Sequence, residues 1–167
     1  HDFVFGFEES YGYLAGTHAR DKDAVVTAML ICEMAAYFKS LGKTLTDVLA
    51  ELYETYGYYY DKSLSYTLKG LEGGRRIAAI MEEARSMDMK SVIPETVETL
   101  DFEKGIGGLP RENVLKYRLA GGGWFAIRPS GTEPKIKFYY SLRGRNEEEA
   151  LRLFGAYRSR LEKQFGL

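Results

Sequence analysis

The first sixty residues hold one short apolar strand, Phe3-Val4-Phe5, and two long helical stretches. One strand has no sheet to join, so these elements alone close no domain. The strand opens a chain that starts His1-Asp2 without a methionine, and the expectation is the end of an α/β domain in a piece of a longer protein. Gly6 through Gly16 reads as a loop. Asp23 is placed to cap a helix running to about Leu41 and stopped by Gly42. Val25, Val26, Met29, Leu30, Ile31, Met34 and Phe38 make that helix apolar almost all round. It is therefore expected to be buried on several sides, with Cys32 as a core filler. Thr44 with Asp47 three residues later reads as a capping-box-like start of a second helix. Leu45, Val48, Leu49, Leu52, Tyr53 and Tyr56 share one face of it, and Gly57 ends it.

The rest of the chain alternates strands and helices. The pattern predicts strands over 63–69, 96–101, 114–119, 124–127 and 136–142, and helices over about 72–87 and 146–165. In the last strand Ile136, Phe138, Tyr140 and Leu142 alternate with polar or smaller-footed neighbours and face the core. Asn146, with Glu149 three later, caps the last helix. The predicted fold class is α+β. An incomplete strand-helix-helix segment, residues 1–60, precedes a small domain, residues 61–167, with a mainly antiparallel sheet covered by helices on one face.

Charge divides the chain at the same place. Residues 1–60 carry four basic against nine acidic side chains, and residues 61–167 carry nineteen against fifteen. Seven basic residues (Lys116, Arg118, Arg128, Lys135, Lys137, Arg143, Arg145) crowd into 113–145 with Glu133 as their one acidic neighbour. Most of these suit a solvated sheet face, but the focus also suits an anionic ligand. A net charge of -1 argues against a nucleic-acid partner, and the tyrosine-rich run Tyr56–Tyr60 has few interleaved cations, so packing explains it better than base stacking. The longest nearly apolar run, Ala24 to Cys32, is too short to span a bilayer, and no membrane partner is expected. The lone Cys32 fits a reducing, cytoplasmic setting, and two histidines with one cysteine make no zinc site.

Three segments carry chemistry. Arg128-Pro129-Ser130-Gly131-Thr132-Glu133-Pro134-Lys135 lies between two predicted strands. Gly131 allows close backbone approach or a positive φ, Ser130 and Thr132 bring hydroxyls, and Arg128 and Lys135 bring a planar fork and a point charge. These are ingredients of a phosphate-monoester site. They equally suit a tight hairpin whose hydroxyls satisfy their own backbone, the commoner use of such a composition. Gly6-Phe7-Glu8-Glu9-Ser10 follows a strand end, where α/β sheets place ligand loops, and Glu8 and Ser10 can meet vicinal hydroxyls from one side. Arg20-Asp21-Lys22-Asp23 precedes the first helix; Lys22 points either to solvent or back at a phosphate.

In this order and spacing the three segments resemble those of the α-D-phosphohexomutases, the phosphoglucomutase/phosphomannomutase family. The resemblance spans essentially the whole chain, as the tail of the family's third domain and all of its fourth. It implies that Glu8 and Ser10 hold sugar hydroxyls, and that Lys22 approaches the transferring phosphoryl group or serves in proton transfer. It implies too that Arg128, Ser130, Gly131 and Thr132 grip the other phosphate, with Lys135 or Lys137 nearby. Family enzymes interconvert hexose 1-phosphate and hexose 6-phosphate, with glucose and mannose as candidate sugars, through a phosphoserine and a hexose 1,6-bisphosphate, with Mg2+. The phosphoserine loop Thr-Ala-Ser-His-Asn-Pro and the magnesium loop Asp-Gly-Asp-x-Asp-Arg are absent, and Asp21-Lys22-Asp23 does not replace the latter. The implied partners are a sugar phosphate and the missing N-terminal domains of the same protein, and the chain alone is expected to be inactive. The alternative is a stand-alone sugar-phosphate binding module without catalysis.

Overall fold

A computed structural model describes residues 3–8 and 11–167. The chain divides into two compact units, residues 1–56 and residues 57–167.

The first unit begins with two three-residue strands, β1 (Phe5–Phe7) and β2 (Tyr13–Ala15), paired antiparallel with Gly6 opposite Leu14. The predicted lone strand is thus one arm of a hairpin, shifted two residues on from Phe3. Phe5, Phe7 and Tyr13 gather on the hairpin with ring centroids 6.2–6.3 Å apart. Two helices follow, α1 (Ala24–Ser40) and α2 (Leu45–Tyr56), bent 85° from one another. Asp23 caps α1 as its sequence position suggests, its Oδ1 accepting from the N–H groups of Val25 and Val26 at 3.0 Å each. Thr44 and Asp47 exchange hydrogen bonds at the start of α2.

The expected burial of α1 fails. Thr27 is its one buried residue, while Val25, Met29, Leu30, Ile31 and Met34 are exposed, and so is Cys32. The physical reason is a shortage of partners. A hairpin of three-residue strands and one short helix offer too little apolar surface to cover a helix that is hydrophobic all round. No single helix among the described residues is long and apolar enough to cross a membrane.

The second unit is the α+β arrangement expected from the alternation of its strands and helices. Its five-stranded sheet has the order β3-β7-β6-β5-β4, with every neighbouring pair antiparallel. The strands are β3 (Tyr58–Thr67), β4 (Thr96–Asp101), β5 (Leu115–Leu119), β6 (Trp124–Pro129) and β7 (Lys135–Gly144). β3 starts at Tyr58, five residues before the predicted start, so Tyr58–Tyr60 belong to the sheet; Tyr60 packs its ring 5.1 Å from that of Phe154.

Two helices, α3 (Gly70–Ser86) and α4 (Glu147–Phe165), cover one face. Ile136, Phe138, Tyr140 and Leu142 of β7 meet Ile80 and Met81 of α3 and Leu161 and Phe165 of α4 in a continuous core, each no more than 2% exposed. Full burial of such a side chain stabilises by about 1.5–3 kcal/mol, so this core is what holds the unit's loops in register. Lys116, Arg118, Arg128 and Lys137 occupy alternate strand positions and point away from it.

Candidate functional site

The β6–β7 hairpin carries six of the predicted site residues on one continuous stretch. Its turn closes through Ser130 N–H donating to the Lys135 carbonyl (2.8 Å) and Lys135 N–H donating to the Glu133 carbonyl (2.7 Å). Leu68 N–H donates to the Pro134 carbonyl at 2.9 Å and ties the far side of the turn to the end of β3. Among the described residues the N–H groups of Gly131, Thr132 and Glu133 have no acceptor in the protein. Three consecutive amides at an exposed tip are thus open to an external acceptor. Gly131 does not use a positive φ; instead a Cβ there would meet nothing within 4 Å, so its backbone is open to close approach.

The side chains around this tip are cationic. Arg128 lies directly across from Lys137 in the β6–β7 register, two like charges facing each other. Opposed like charges weaken a sheet where nothing else compensates them, so the pairing of Arg128 with Lys137 concentrates positive charge on this strand pair. Arg128 is exposed, and its side chain makes no hydrogen bond or ion pair with a described residue. Lys137 lies 6.0 Å from the centroid of the Tyr139 ring. Lys135 is turned aside: its Nζ bonds Glu133 Oε1 at 2.9 Å. Ser130 is half-buried and Thr132 exposed.

A second cluster lies in the first unit. Glu8 N–H donates to the Gly12 carbonyl at 2.8 Å and closes the β1–β2 turn. Lys22 Nζ sits 3.3 Å from Asp21 Oδ1 and 3.8 Å from Glu8 Oε2. The Lys22 ammonium is held above its ordinary pKa by its hydrogen bond and charge interaction with Asp21, then by Glu8, so it is a cation at neutral pH. Its stem lies against Gly12, where a Cβ would collide with the Lys22 side chain. A hollow of about 240 Å3 is lined here by Glu8, Gly12, Tyr13, Arg20, Asp21 and Lys22 among others. Ser10 lies outside the described residues. Asp21 and Gly12 were not singled out from the sequence, where nothing marks a neighbour's ion pair or a missing Cβ across a turn.

The magnesium implied by the resemblance has no cradle here. Among the described residues no three His, Cys, Asp or Glu side chains come together to hold a metal ion.

Comparison with known proteins follows the same division. Residues 1–56 match the family model described as phosphoglucomutase/phosphomannomutase, alpha/beta/alpha domain III, and residues 73–155 match the model of the C-terminal domain. A phosphoglucomutase of Staphylococcus haemolyticus (strain JCSC1435) is 41% identical over 160 residues, covering 88% of this chain and 29% of the relative. A phosphoglucomutase of Staphylococcus aureus (strain bovine RF122 / ET3-1) is 40% identical over 167 residues, 93% of this chain and 30% of the relative. The chain therefore spans about 30% of the length of these relatives. In fold it is similar to the open form of the Paramecium exocytosis-sensitive phosphoprotein pp63/parafusin, a phosphoglucomutase, with a TM-score of 0.67 over 94% of this chain and 30% of that one, at 13% identity. Two domain models of one family, matched in chain order and together covering most of the residues, settle the affiliation: the chain belongs to the phosphoglucomutase/phosphomannomutase family.

Proposed function

We propose that this chain is the substrate-recognition part of a phosphohexomutase that interconverts hexose 1-phosphate and hexose 6-phosphate. The reading is carried by the β6–β7 turn, where three unclaimed amides follow the exposed Arg128 within five residues of sequence. Arg128 takes two oxygens of a phosphate monoester through its fork, the amides of Gly131 to Glu133 take a third, and the hydroxyls of Ser130 and Thr132 complete the shell. Lys137 balances the dianion, and Lys135 joins it by exchanging Glu133 for phosphate. This phosphate is the one that stays in place. Fixing it orients the sugar so that the other end lies in line for transfer, and binding energy goes into positioning.

The first unit contributes the sugar contacts. Glu8, with Ser10 beside it in sequence, accepts hydrogen bonds from vicinal hydroxyls over the 240 Å3 hollow. Lys22, kept protonated by Asp21 and Glu8, serves as a cation toward the transferring phosphoryl group rather than as a base at neutral pH. The phosphoserine, the bisphosphate stage and the magnesium belong to parts of the parent protein that supply those groups, and the chain by itself turns over no substrate.

The test is an amide NMR titration of this chain with glucose 1-phosphate, with mannose 1-phosphate and inorganic phosphate beside it. Shifts centred on residues 128–137 with all three ligands are expected. Arg128→Ala removes charge-assisted hydrogen bonds and weakens binding roughly 10- to 100-fold. Equal affinity in Arg128→Ala, or shifts elsewhere only, would refute the anchor.

A further inference from the structure

The connection between β4 and β5, residues 102–114, emerges beside the β6–β7 turn. Leu115 pairs with Ile127, so one residue further Val114 lies next to Arg128. Its anchorage is distinctive. A single guanidinium, that of Arg85 on α3, holds both ends: Nε reaches Asp101 at 3.1 Å, and Nη2 reaches Glu103 at 2.9 Å and Asn113 Oδ1 at 2.8 Å. Phe102 N–H donates to the Val114 carbonyl at 3.0 Å and closes the base.

Between these fixed ends the backbone turns through glycines, with Gly105 N–H donating to the Phe102 carbonyl (3.1 Å) and Leu109 N–H to the Ile106 carbonyl (3.0 Å). Gly105, Gly107 and Gly108 all take positive φ (79°, 59° and 76°), and a Cβ on Gly107 or Gly108 would touch nothing within 4 Å. The same connection lines an apolar hollow of about 320 Å3 with Phe102, Leu109, Pro110, Glu112 and Val114. Arg111 is exposed and makes no hydrogen bond or ion pair with a described residue. Three glycines give the segment several backbone conformations of similar energy, while the Arg85 clamp keeps its ends in register with β5. A plain connector needs neither a three-way clamp on one guanidinium nor an unpaired arginine two residues before Asn113.

We infer that residues 105–111 form a hinged flap that brings Arg111 onto the outward oxygens of the phosphate monoester held by Arg128 and the Gly131–Glu133 amides. The inference rests on the phosphate-anchor reading above and adds to it a second arginine from a different loop. Arg128 and the amides approach the phosphate from the β6–β7 side, and Arg111 comes from the β5 side. A dianion has enough acceptor sites for both forks.

The deciding experiment is an amide NMR titration of this chain with glucose 1-phosphate, run on the parent sequence and on Arg111→Gln, Arg111→Lys, Lys104→Gln and Arg128→Gln. Arg111→Gln should weaken binding roughly 5- to 20-fold, with Arg111→Lys recovering part of the loss. The 105–111 amides should shift along with those of 130–134 in the parent sequence, and Lys104→Gln should leave the affinity unchanged. If Arg128→Gln abolishes binding while Arg111→Gln does not change it and the 105–111 amides stay still, the flap is refuted and the anchor stands. If Arg128→Gln also changes nothing, both fall. Equal losses in Lys104→Gln and Arg111→Gln would reduce Arg111 to general surface charge and overturn the inference too.

Discussion

Two ion pairs show what single residues contribute. Lys22 sits against Asp21 at 3.3 Å, and Asp21 is held below its ordinary pKa by the Lys22 backbone N–H, then by the lysine's hydrogen bond and charge. Asp21→Asn removes the largest cause of the raised Lys22 pKa, so the Lys22 ammonium should titrate at lower pH, read from its side-chain NMR shifts. An unmoved titration would assign the raised value to Glu8 instead. At the start of α4, Glu149 accepts from the Arg145 backbone N–H (2.8 Å) and from its guanidinium (2.9 and 3.1 Å), while its own N–H donates to Asn146 Oδ1 at 2.9 Å. Arg145 holds the Glu149 carboxyl down at about 2, against an ordinary value of 4.5. A carboxylate with a depressed folded-state pKa contributes stability that is complete above about 4.5 and is lost as pH falls through about 2. The unfolding temperature of Glu149→Gln should therefore lie below that of the parent at pH 7 and converge with it near pH 2. Arg145 is exposed and Glu149 half-buried, so the gap should also shrink in high salt. A gap that persists at pH 2 would mean that the glutamate acts through packing or capping alone.

At the level of elements, α3 offers a contrast between adjacent glycines. Glycine inside a helix costs about 1 kcal/mol relative to alanine, so Gly→Ala is stabilising where there is room. At Gly74 a Cβ meets nothing within 4 Å, but at Gly73 it collides with the backbone of Leu68, including its carbonyl. Gly74→Ala should stabilise the second unit by about 1 kcal/mol, and Gly73→Ala should destabilise it by about 1–3 kcal/mol as the β3–α3 connection is pushed aside. Denaturant midpoints of the two variants check this, and a shift of the same sign in both would refute the close approach. Such approaches are what the sequence does not display. The alternation in Ile136–Leu142 and the caps at Asp23 and Asn146 are local and legible. The proposed anchor segment is likewise visible as a contiguous run, Arg128 to Lys135. The facing of Arg128 and Lys137 depends on register, and the Arg85 clamp joins residues 16 and 28 positions apart, so neither is encoded in any short window. The β1–β2 hairpin has no sequence signature because three residues per strand show no periodicity. The exposure of α1 is not legible in its sequence, because an apolar pattern says what the helix can bury, not what is there to cover it.

Across the whole chain, stability is unevenly distributed. The second unit has a continuous core containing Tyr117, Phe125, Phe138 and Phe165, all at 0–1% exposure. In the first unit no apolar side chain is buried among the described residues, and Thr27 is the buried side chain of α1. Folding free energy comes chiefly from apolar burial set against the entropy of ordering the backbone, so the first unit should have little stability of its own. Amide hydrogen exchange on this chain should then show two classes. Sites in β5, β6, β7, α3 and α4 should exchange only by global opening, and sites in α1 and α2 by local opening with much smaller protection. A urea titration followed at residues of each unit should give separate midpoints, the lower one for the first unit, together with early binding of a dye that reports exposed apolar surface. One shared midpoint, with equal protection of α1 and β7, would show that α1 draws its stability from contacts beyond its own unit. The separate result carries a functional consequence. The proposed phosphate anchor would be organised by a unit that holds its own fold, while the proposed sugar loop, with Glu8 and Lys22, would be organised only as far as the surface of α1 and α2 is covered. Phosphate binding should accordingly survive urea concentrations that already erase the Glu8 and Lys22 signals.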